Sequence, residues 1–166
     1  GARLTVDSSA CIAAIAKSVR AARVPAVPLH LKVDTGMHRV GAAPADAVRL
    51  AHAIGELAEV HLEGVCTHCP VADEPDNPYT GDQVRRFEAT LADLRAAGID
   101  PGIVHAANSA ATLVHPEARL DLVRCGIAVY GIPPAPALAG LADLRPALTL
   151  ASEVSFVKPV AAGEGI

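Results

Sequence analysis

The sequence is poor in aromatic residues. Tryptophan is absent, and only two phenylalanines and two tyrosines occur among the 166 residues. The apolar half of the chain is therefore made mainly of alanine, valine, leucine and isoleucine. Side chains of this kind suit helices packed closely on a Val- and Leu-rich sheet better than an aromatic interface. The composition favours an α/β fold.

The sequence also lacks strong positive charge, a long apolar run and secretory features, and each absence argues against one class of protein. The formal charge of −4 gives no positive field for nucleic acid. No apolar run approaches the roughly 20 residues of a membrane helix, which argues against a membrane partner. The first residues carry no secretory signal pattern, and four cysteines are too few to staple a small secreted fold. We expect a cytoplasmic protein that acts on small molecules.

Short β-branched runs alternate with helical patterns at a period of about 30 residues. The runs predict five strands, at residues 4–6, 29–33, 60–66, 103–106 and 122–125. Strand–helix–strand units of this length specify a parallel sheet. Such a sheet is either open and doubly wound or closed as a (β/α)₈ barrel, and five units complete neither of these. We therefore predict an α/β fold that is part of a TIM-type (β/α)₈ barrel. We assign residues 1–140 to the C-terminal portion of that barrel. Residues 141–166 are assigned to the start of a β-rich C-terminal domain, since residues 148–160 alternate in a strand-like way.

The ligand site of a parallel α/β fold lies at the carboxyl ends of its strands. Four segments reach those ends, namely residues 32–39, 67–68, 108–109 and 124–126. Together they hold three cations, an imidazole, a hydroxyl at a predicted helix start and a glycine. These groups suit an anionic ligand that bears a phosphate. Each of these residues, taken alone, also has a purely structural alternative. Lys32 and Arg39 would then be solvated cations, Ser109 would cap a helix, and Arg124 would pair with Asp121.

Four motifs in this order resemble the barrel domain of alanine racemase: KVDTGMHRVG, EGVCTH with the acidic loop after it, HAANSAATL and LVRCGIAVYG. The resemblance covers nearly all of this chain but only the middle of the family's protein. It implies a pyridoxal-phosphate enzyme that converts L-alanine to D-alanine for peptidoglycan synthesis, acting as a homodimer on an amino-acid substrate. Two alternatives stay open, a racemase of serine or of a basic amino acid, and a non-catalytic barrel that binds pyridoxal phosphate.

The resemblance also implies roles for individual residues. Arg39 would contact the substrate carboxylate and the cofactor's phenolic oxygen, and Lys32, carbamylated in some members, would support that arginine. His68 would lie against the pyridine ring, and Arg124 would donate to the ring nitrogen. The cofactor-binding set implied in this way is His68, Asn108, Ser109, Arg124, Gly126 and Ile127.

Neither of the family's acid–base residues is assignable in this chain. The lysine that binds the cofactor is expected upstream of Gly1, and the catalytic tyrosine downstream of Ile166, so we expect the chain alone to be inactive. Cys66 and Cys69 form a C-x-x-C pattern. A zinc site normally has four convergent ligands, which the sequence does not offer here, so we predict no metal. A reactive thiol normally lies at the start of a helix, and no helix is predicted to start at this pattern. Three positions depart from the family's usual residues: His38, the pair Cys69-Pro70, and Cys125.

Overall fold

A computed structural model describes residues 2–164. It contains one sheet of four parallel strands whose spatial order, β1-β2-β3-β4, follows the chain order. The strands are β1 (Leu4–Val6), β2 (Val27–Lys32), β3 (Val60–Cys66) and β4 (Ile103–His105). The helices are α1 (Ser9–Ala22), α2 (Ala47–Gly55), α3 (Tyr79–Ala96) and α4 (Ser109–Val114). Parallel strands paired in chain order form an arc of the barrel type, which confirms the predicted fold class.

The helices begin where the sequence supplies caps. Ser8 accepts a hydrogen bond from the Cys11 amide at 3.3 Å, and the Asn108 side chain accepts one from the Ala111 amide at 2.9 Å. A 3₁₀ turn at Pro44–Asp46 precedes α2. Within residues 2–164, none of the helices has both the length and the apolarity needed to cross a membrane.

The two faces of the sheet carry different residues because side chains alternate along a strand. Val6, Leu29, Leu31, Val65 and Val104 are buried in the core, which also contains the inner residues of the helices. Their neighbours in the strands are polar and share the opposite face, namely Thr5, His30, Lys32, Cys66 and His105. In a barrel this second face is the interior, so the polar groups of the sheet are collected on one side.

The predicted fifth strand is wrong. Residues 122–125 belong to no strand or helix, although backbone bonds from Asp121 to Val104 and from Arg124 to Ala107 join this segment to β4 and the residues after it. The Asp121 amide donates to the Val104 carbonyl at 3.1 Å, whereas the Val104 amide donates to a carboxylate oxygen of Asp121 at 2.9 Å. The aspartate side chain therefore takes the place of the backbone carbonyl that a neighbouring strand would supply. The same contact leaves Arg124 to other partners, so the Arg124–Asp121 pair does not form.

The strand predicted at residues 148–160 does not form either. Within the described part of the chain, this segment lies in neither a strand nor a helix, and its apolar side chains are exposed; Leu150 is 93% accessible. An alternating pattern makes a strand only where a neighbour takes its backbone hydrogen bonds. The division into two domains at residue 140 stays a prediction.

Candidate functional site

The loop that carries Arg39 leaves the end of β2 and returns to it. Val33 and Ala42 form a parallel bridge at its base. The Ala42 amide donates to the Lys32 carbonyl at 2.9 Å, and the Asp34 amide donates to the Ala42 carbonyl at 2.8 Å. Residues 34–41 therefore form a closed loop above the strand end, and Arg39 lies on its exposed side.

Asp34 organises this loop from within. One of its carboxylate oxygens accepts the backbone amides of Gly36, Met37 and His38, at 2.9, 2.9 and 3.1 Å. Burial alone would raise the pKa of Asp34, but the three amides outweigh it and lower that pKa. His38 has a left-handed φ of 56° and an exposed ring. The backbone of His38 is therefore part of the turn, and this departure from the family pattern lies at a residue with a left-handed φ.

Helix α3 holds the same loop from the other side. The Tyr79 hydroxyl donates to the Gly36 carbonyl at 2.9 Å, and the Arg86 guanidinium donates to the Thr35 carbonyl at 3.0 Å. Gly36 has a φ of 143°, and a Cβ at this position would lie only 2.9 Å from the Tyr79 ring. Sequence reasoning missed Tyr79 and Arg86, because no spacing rule connects a helix residue to a loop more than 40 positions earlier.

Arg124 is the most extensively bonded cation of the site. Its guanidinium donates to His105 Nδ1 at 2.6 Å and to the carbonyls of Thr67 and Ala106 at 2.7 and 3.0 Å. A further contact of 3.3 Å reaches His68 Nδ1. Burial lowers the pKa of Arg124, but a guanidinium keeps its charge in proteins. Four acceptors from the ends of β3 and β4 therefore fix the plane of one permanent cation.

His68 lies in a positive environment. Its pKa is lowered by burial first and then by the charges of Arg124, Lys32 and Arg39. The ring is therefore neutral at pH 7, and its Nδ1 can accept from Arg124. This agrees with a position beside a ligand, where a neutral ring stacks without adding charge. The predicted meeting of Lys32 and Arg39 across the turn stays a prediction.

The segment after Arg124 folds against the start of α4. Ser109 Oγ accepts the amides of Gly126 at 2.8 Å and Ala128 at 3.3 Å. The Asn108 side chain caps α4 and also donates to the Cys69 carbonyl at 2.9 Å. The amide of Gly126 and the side chain of Asn108 thus have internal partners, and their predicted contacts to a phosphate stay predictions.

Two cavities meet at this end of the sheet. The first, of about 430 Å³, is lined by Lys32, Cys66, His68, His105 and Arg124 among others. The second, of about 350 Å³, is lined by a set that includes His68, Asn108, Ser109, Arg124, Gly126 and Ile127. His68 and Arg124 belong to both. The structure therefore brings together every predicted site residue except Arg39, whose neighbour Val40 lines the first cavity. These volumes lie within the range of small-molecule sites.

The C-x-x-C pair does not form a reactive centre. Cys66 and Cys69 are free, buried thiols. Burial raises the pKa of both, to about 11 for Cys69. A thiol that resists ionisation is a poor nucleophile and a poor metal ligand. Within residues 2–164, no three His, Cys, Asp or Glu side chains are arranged to hold a metal ion.

Sequence reasoning also missed His30, Glu63 and His105. His30 and His105 lie on the inner face of the sheet and contact each other, and Glu63 contacts His30 from β3. A signal for His30 existed, because His30 and Lys32 are polar residues two positions apart in an otherwise apolar strand. Such spacing indicates one polar face on a buried strand.

The fold and the site define a segment of a parallel α/β barrel whose strand ends bring several cations together beside two cavities. The chain belongs to the alanine racemase family: residues 1–134 match the family described as "Alanine racemase, N-terminal domain". It is 54% identical over 138 residues to the alanine racemase of Symbiobacterium thermophilum, covering 83% of this chain and 37% of that protein. The alanine racemase of Thermobifida fusca is 43% identical over an alignment of 169 positions, which covers all of this chain and 45% of that protein.

A solved structure supports the same assignment. The crystal structure of alanine racemase from E. faecalis superposes with a TM-score of 0.82 at 36% identity, covering 99% of this chain and 44% of that one. The predicted resemblance and the barrel fold are thereby confirmed. The chain spans less than half the length of these relatives.

Proposed function

We propose that this chain is the second part of the barrel of an enzyme that interconverts L- and D-alanine with pyridoxal phosphate. The observation that carries the proposal is the guanidinium of Arg124, held by four acceptors at the strand ends where two cavities meet. Family membership and relatives named alanine racemase support alanine rather than another amino acid. The complete enzyme would act as a cytoplasmic homodimer that supplies D-alanine for peptidoglycan.

The donor set fits the proposed cofactor. Pyridoxal phosphate is an anion with a flat ring, and the cavities offer the cations Lys32 and Arg124, a neutral imidazole at His68 and a hydroxyl at Ser109. In this proposal Ser109, Asn108, Gly126 and Ile127 hold the phosphate, His68 lies against the ring, and Arg124 donates to the ring nitrogen. When bound, the cofactor supplies an electron sink for the carbanion formed at the substrate's α-carbon.

Arg124 limits how strong that sink becomes. A guanidinium donates a hydrogen bond but does not give up its proton, so it leaves the ring nitrogen of a ligand unprotonated. A carboxylic acid in the same place would protonate that nitrogen. A guanidinium at this position should therefore favour reversible proton removal over side reactions that need a longer-lived carbanion.

Arg39 is proposed to orient the substrate by binding its carboxylate. It is exposed at the tip of a loop that Asp34, Tyr79 and Arg86 hold in place, which keeps a long side chain near the cavity mouth. Lys32 lines the first cavity beneath the loop and would support Arg39 from below.

The test uses the complete protein to which this chain belongs. We expect the purified protein to bind pyridoxal phosphate and to convert L-alanine to D-alanine, followed with a D-amino-acid oxidase. Arg39→Ala should raise KM for alanine by at least tenfold, while His61→Gln, a change at an exposed strand residue, should leave it unchanged. L-Serine and L-lysine tested in parallel would identify another substrate. A protein that binds the cofactor but converts none of these amino acids would refute the proposal.

A further inference from the structure

A line of side-chain hydrogen bonds crosses the inner face of the sheet and ends at Arg124. Glu63 contacts His30 Nε2 at 3.0 Å, His30 Nδ1 contacts His105 Nε2 at 2.7 Å, and His105 Nδ1 contacts the guanidinium of Arg124 at 2.6 Å. At the outer end, Arg3 pairs with the same Glu63 oxygen at 2.5 Å. We refer to Glu63, His30, His105 and Arg124 as the histidine relay.

The two ends of the relay determine where every proton lies. Arg124 can only donate, so His105 Nδ1 must accept and its proton must be on Nε2. That Nε2–H then donates to His30 Nδ1, which leaves the His30 proton on Nε2. Because an ionised carboxylate can only accept, Glu63 completes the line in the same direction. Two neutral imidazoles, both in the Nε2–H form, are the one arrangement that satisfies all three contacts.

The backbone is shaped to allow these contacts. The pairing of β2 with β3 shifts register between Leu29 and His30, so that Glu63 is the extra residue of a bulge. The next residue, Gly64, lies beneath the His30 ring, and a Cβ there would be 2.7 Å from His30 Nδ1. A side chain at position 64 would therefore push the His30 ring off His105.

The charge states of Glu63 and His105 agree with the hydrogen-bond directions of the histidine relay. Arg3 and His30 lower the pKa of Glu63 through their hydrogen bonds, so the carboxylate stays ionised and accepting. Burial, together with the charge of Arg124, lowers the pKa of His105 to about 4 and keeps that ring neutral. Lys32 and Cys66 share the inner face and line the same cavity as His105 and Arg124, and neither is hydrogen-bonded to a nitrogen of the relay.

We propose that Glu63 and His30 are positioning residues that act at a distance: by fixing the proton of His105 on Nε2, they hold Arg124 in the plane from which it donates to the ligand. For its ligand this inference rests on the proposed function. The relay uses one donor of Arg124 and the strand-end carbonyls use others, so the guanidinium can rotate only if an acceptor is lost. Removal of the Glu63 carboxylate leaves only the Arg124 contact to oppose the reversed proton order, in which His30 Nδ1–H donates to His105 Nε2 and the Nδ1–H of His105 faces Arg124.

The first readout is the protonation of the histidines. In the complete protein labelled with ¹⁵N-histidine, at pH 7.5 and without cofactor, two-dimensional NMR should show His30 and His105 as neutral Nε2–H forms. Glu63→Ala should give mixed or Nδ1–H signals for His30 and a broadened or shifted His105. Glu63→Gln, which keeps an acceptor oxygen, should restore most of the wild-type pattern.

Glu59 provides the matched control, because it pairs with Arg20 at 2.6 Å just before β3 and has no contact with the relay histidines among the described residues. Glu59→Ala should leave the histidine signals unchanged. With cofactor added, Glu63→Ala should weaken pyridoxal-phosphate binding several-fold and lower kcat more than it changes KM for alanine. Glu59→Ala should do neither.

The outcomes separate the relay from the proposed function. His105 observed as Nδ1–H or doubly protonated in the wild-type protein would overturn the relay, even in an active racemase. Identical spectra for Glu63→Ala and Glu59→Ala would overturn it as well. Fixed Nε2–H histidines in a protein without racemase activity would support the relay and reject the function. The wild-type spectrum alone decides the first point if Glu63→Ala fails to fold.

Discussion

Acid should weaken this domain through His105. The ring is 7% exposed and its pKa is lowered to about 4, with burial as the main cause and Arg124 and His30 as further causes. In the unfolded chain a histidine titrates near its ordinary value of about 6.5. Between these two values the unfolded state binds more protons than the folded state. The free energy of unfolding therefore falls as the pH is lowered from about 6.5 to about 4.

The size of the effect follows from the same values. Each pKa unit corresponds to about 1.4 kcal/mol, so the full difference would amount to about 3 kcal/mol. The ring borders a cavity that water can enter, and solvent screening reduces such a contribution. We expect His105 to account for about 1.5 to 2 kcal/mol of the stability lost on acidification.

The assay is urea unfolding of the wild-type protein and of His105→Gln at pH 7, 5.5 and 4.5. The variant should be less stable at pH 7, because glutamine does not place an acceptor where the ring Nδ1 receives the Arg124 hydrogen bond, but its stability should fall less steeply with acid. His61→Gln, at an exposed position, is the control and should follow the wild-type curve. Equal pH slopes for the wild-type protein and His105→Gln would refute the assignment of a depressed pKa to this ring.

Three further predictions concern the loop, the core and the thiols. Tyr79→Phe removes the hydrogen bond to the Gly36 carbonyl, worth about 1 kcal/mol, so amides of residues 34–41 should exchange faster in hydrogen-exchange mass spectrometry; an unchanged rate would contradict this role. Phe87→Ala should lower the free energy of unfolding by about 3–5 kcal/mol, because the ring is fully buried; a loss below about 1 kcal/mol in urea titration would contradict tight packing there. Cys66 and Cys69 should resist iodoacetamide at pH 8 until urea is added, since burial raises the pKa of both; modification at the rate of a free thiol would contradict their burial.

The sequence predicted the parts of the fold that depend on local pattern. The strand at residues 60–66 was predicted with its observed bounds, and α4 begins at the cap expected from Asn108. The failures share one physical cause. Residues 122–125 and 148–160 have strand-like composition, but a strand also needs a partner for its backbone, and no local pattern reveals whether Asp121 will take an amide of β4 instead.

The site was predictable to the extent that topology brings strand ends together. The rule for parallel sheets placed His68, Ser109 and Arg124 at one end, and the cavities found there agree. The supporting contacts were not predictable, because they depend on which side chains meet across the barrel interior. His30 and His105 are 75 residues apart, and their contact follows only from the register of three strands and from the missing side chain of Gly64.

The separation of apolar and polar faces has a consequence for the complete protein. Among the described residues β1 and β4 are the edge strands of the arc, and His105 and Arg124 border a cavity on its inner face. In the proposed eight-stranded barrel the remaining strands would cover that face and fill it with side chains. Further burial disfavours the charged form of an imidazole more strongly. A closed barrel should therefore hold His105 neutral to a still lower pH. The fixed proton order of the histidine relay should then be harder to disturb with acid.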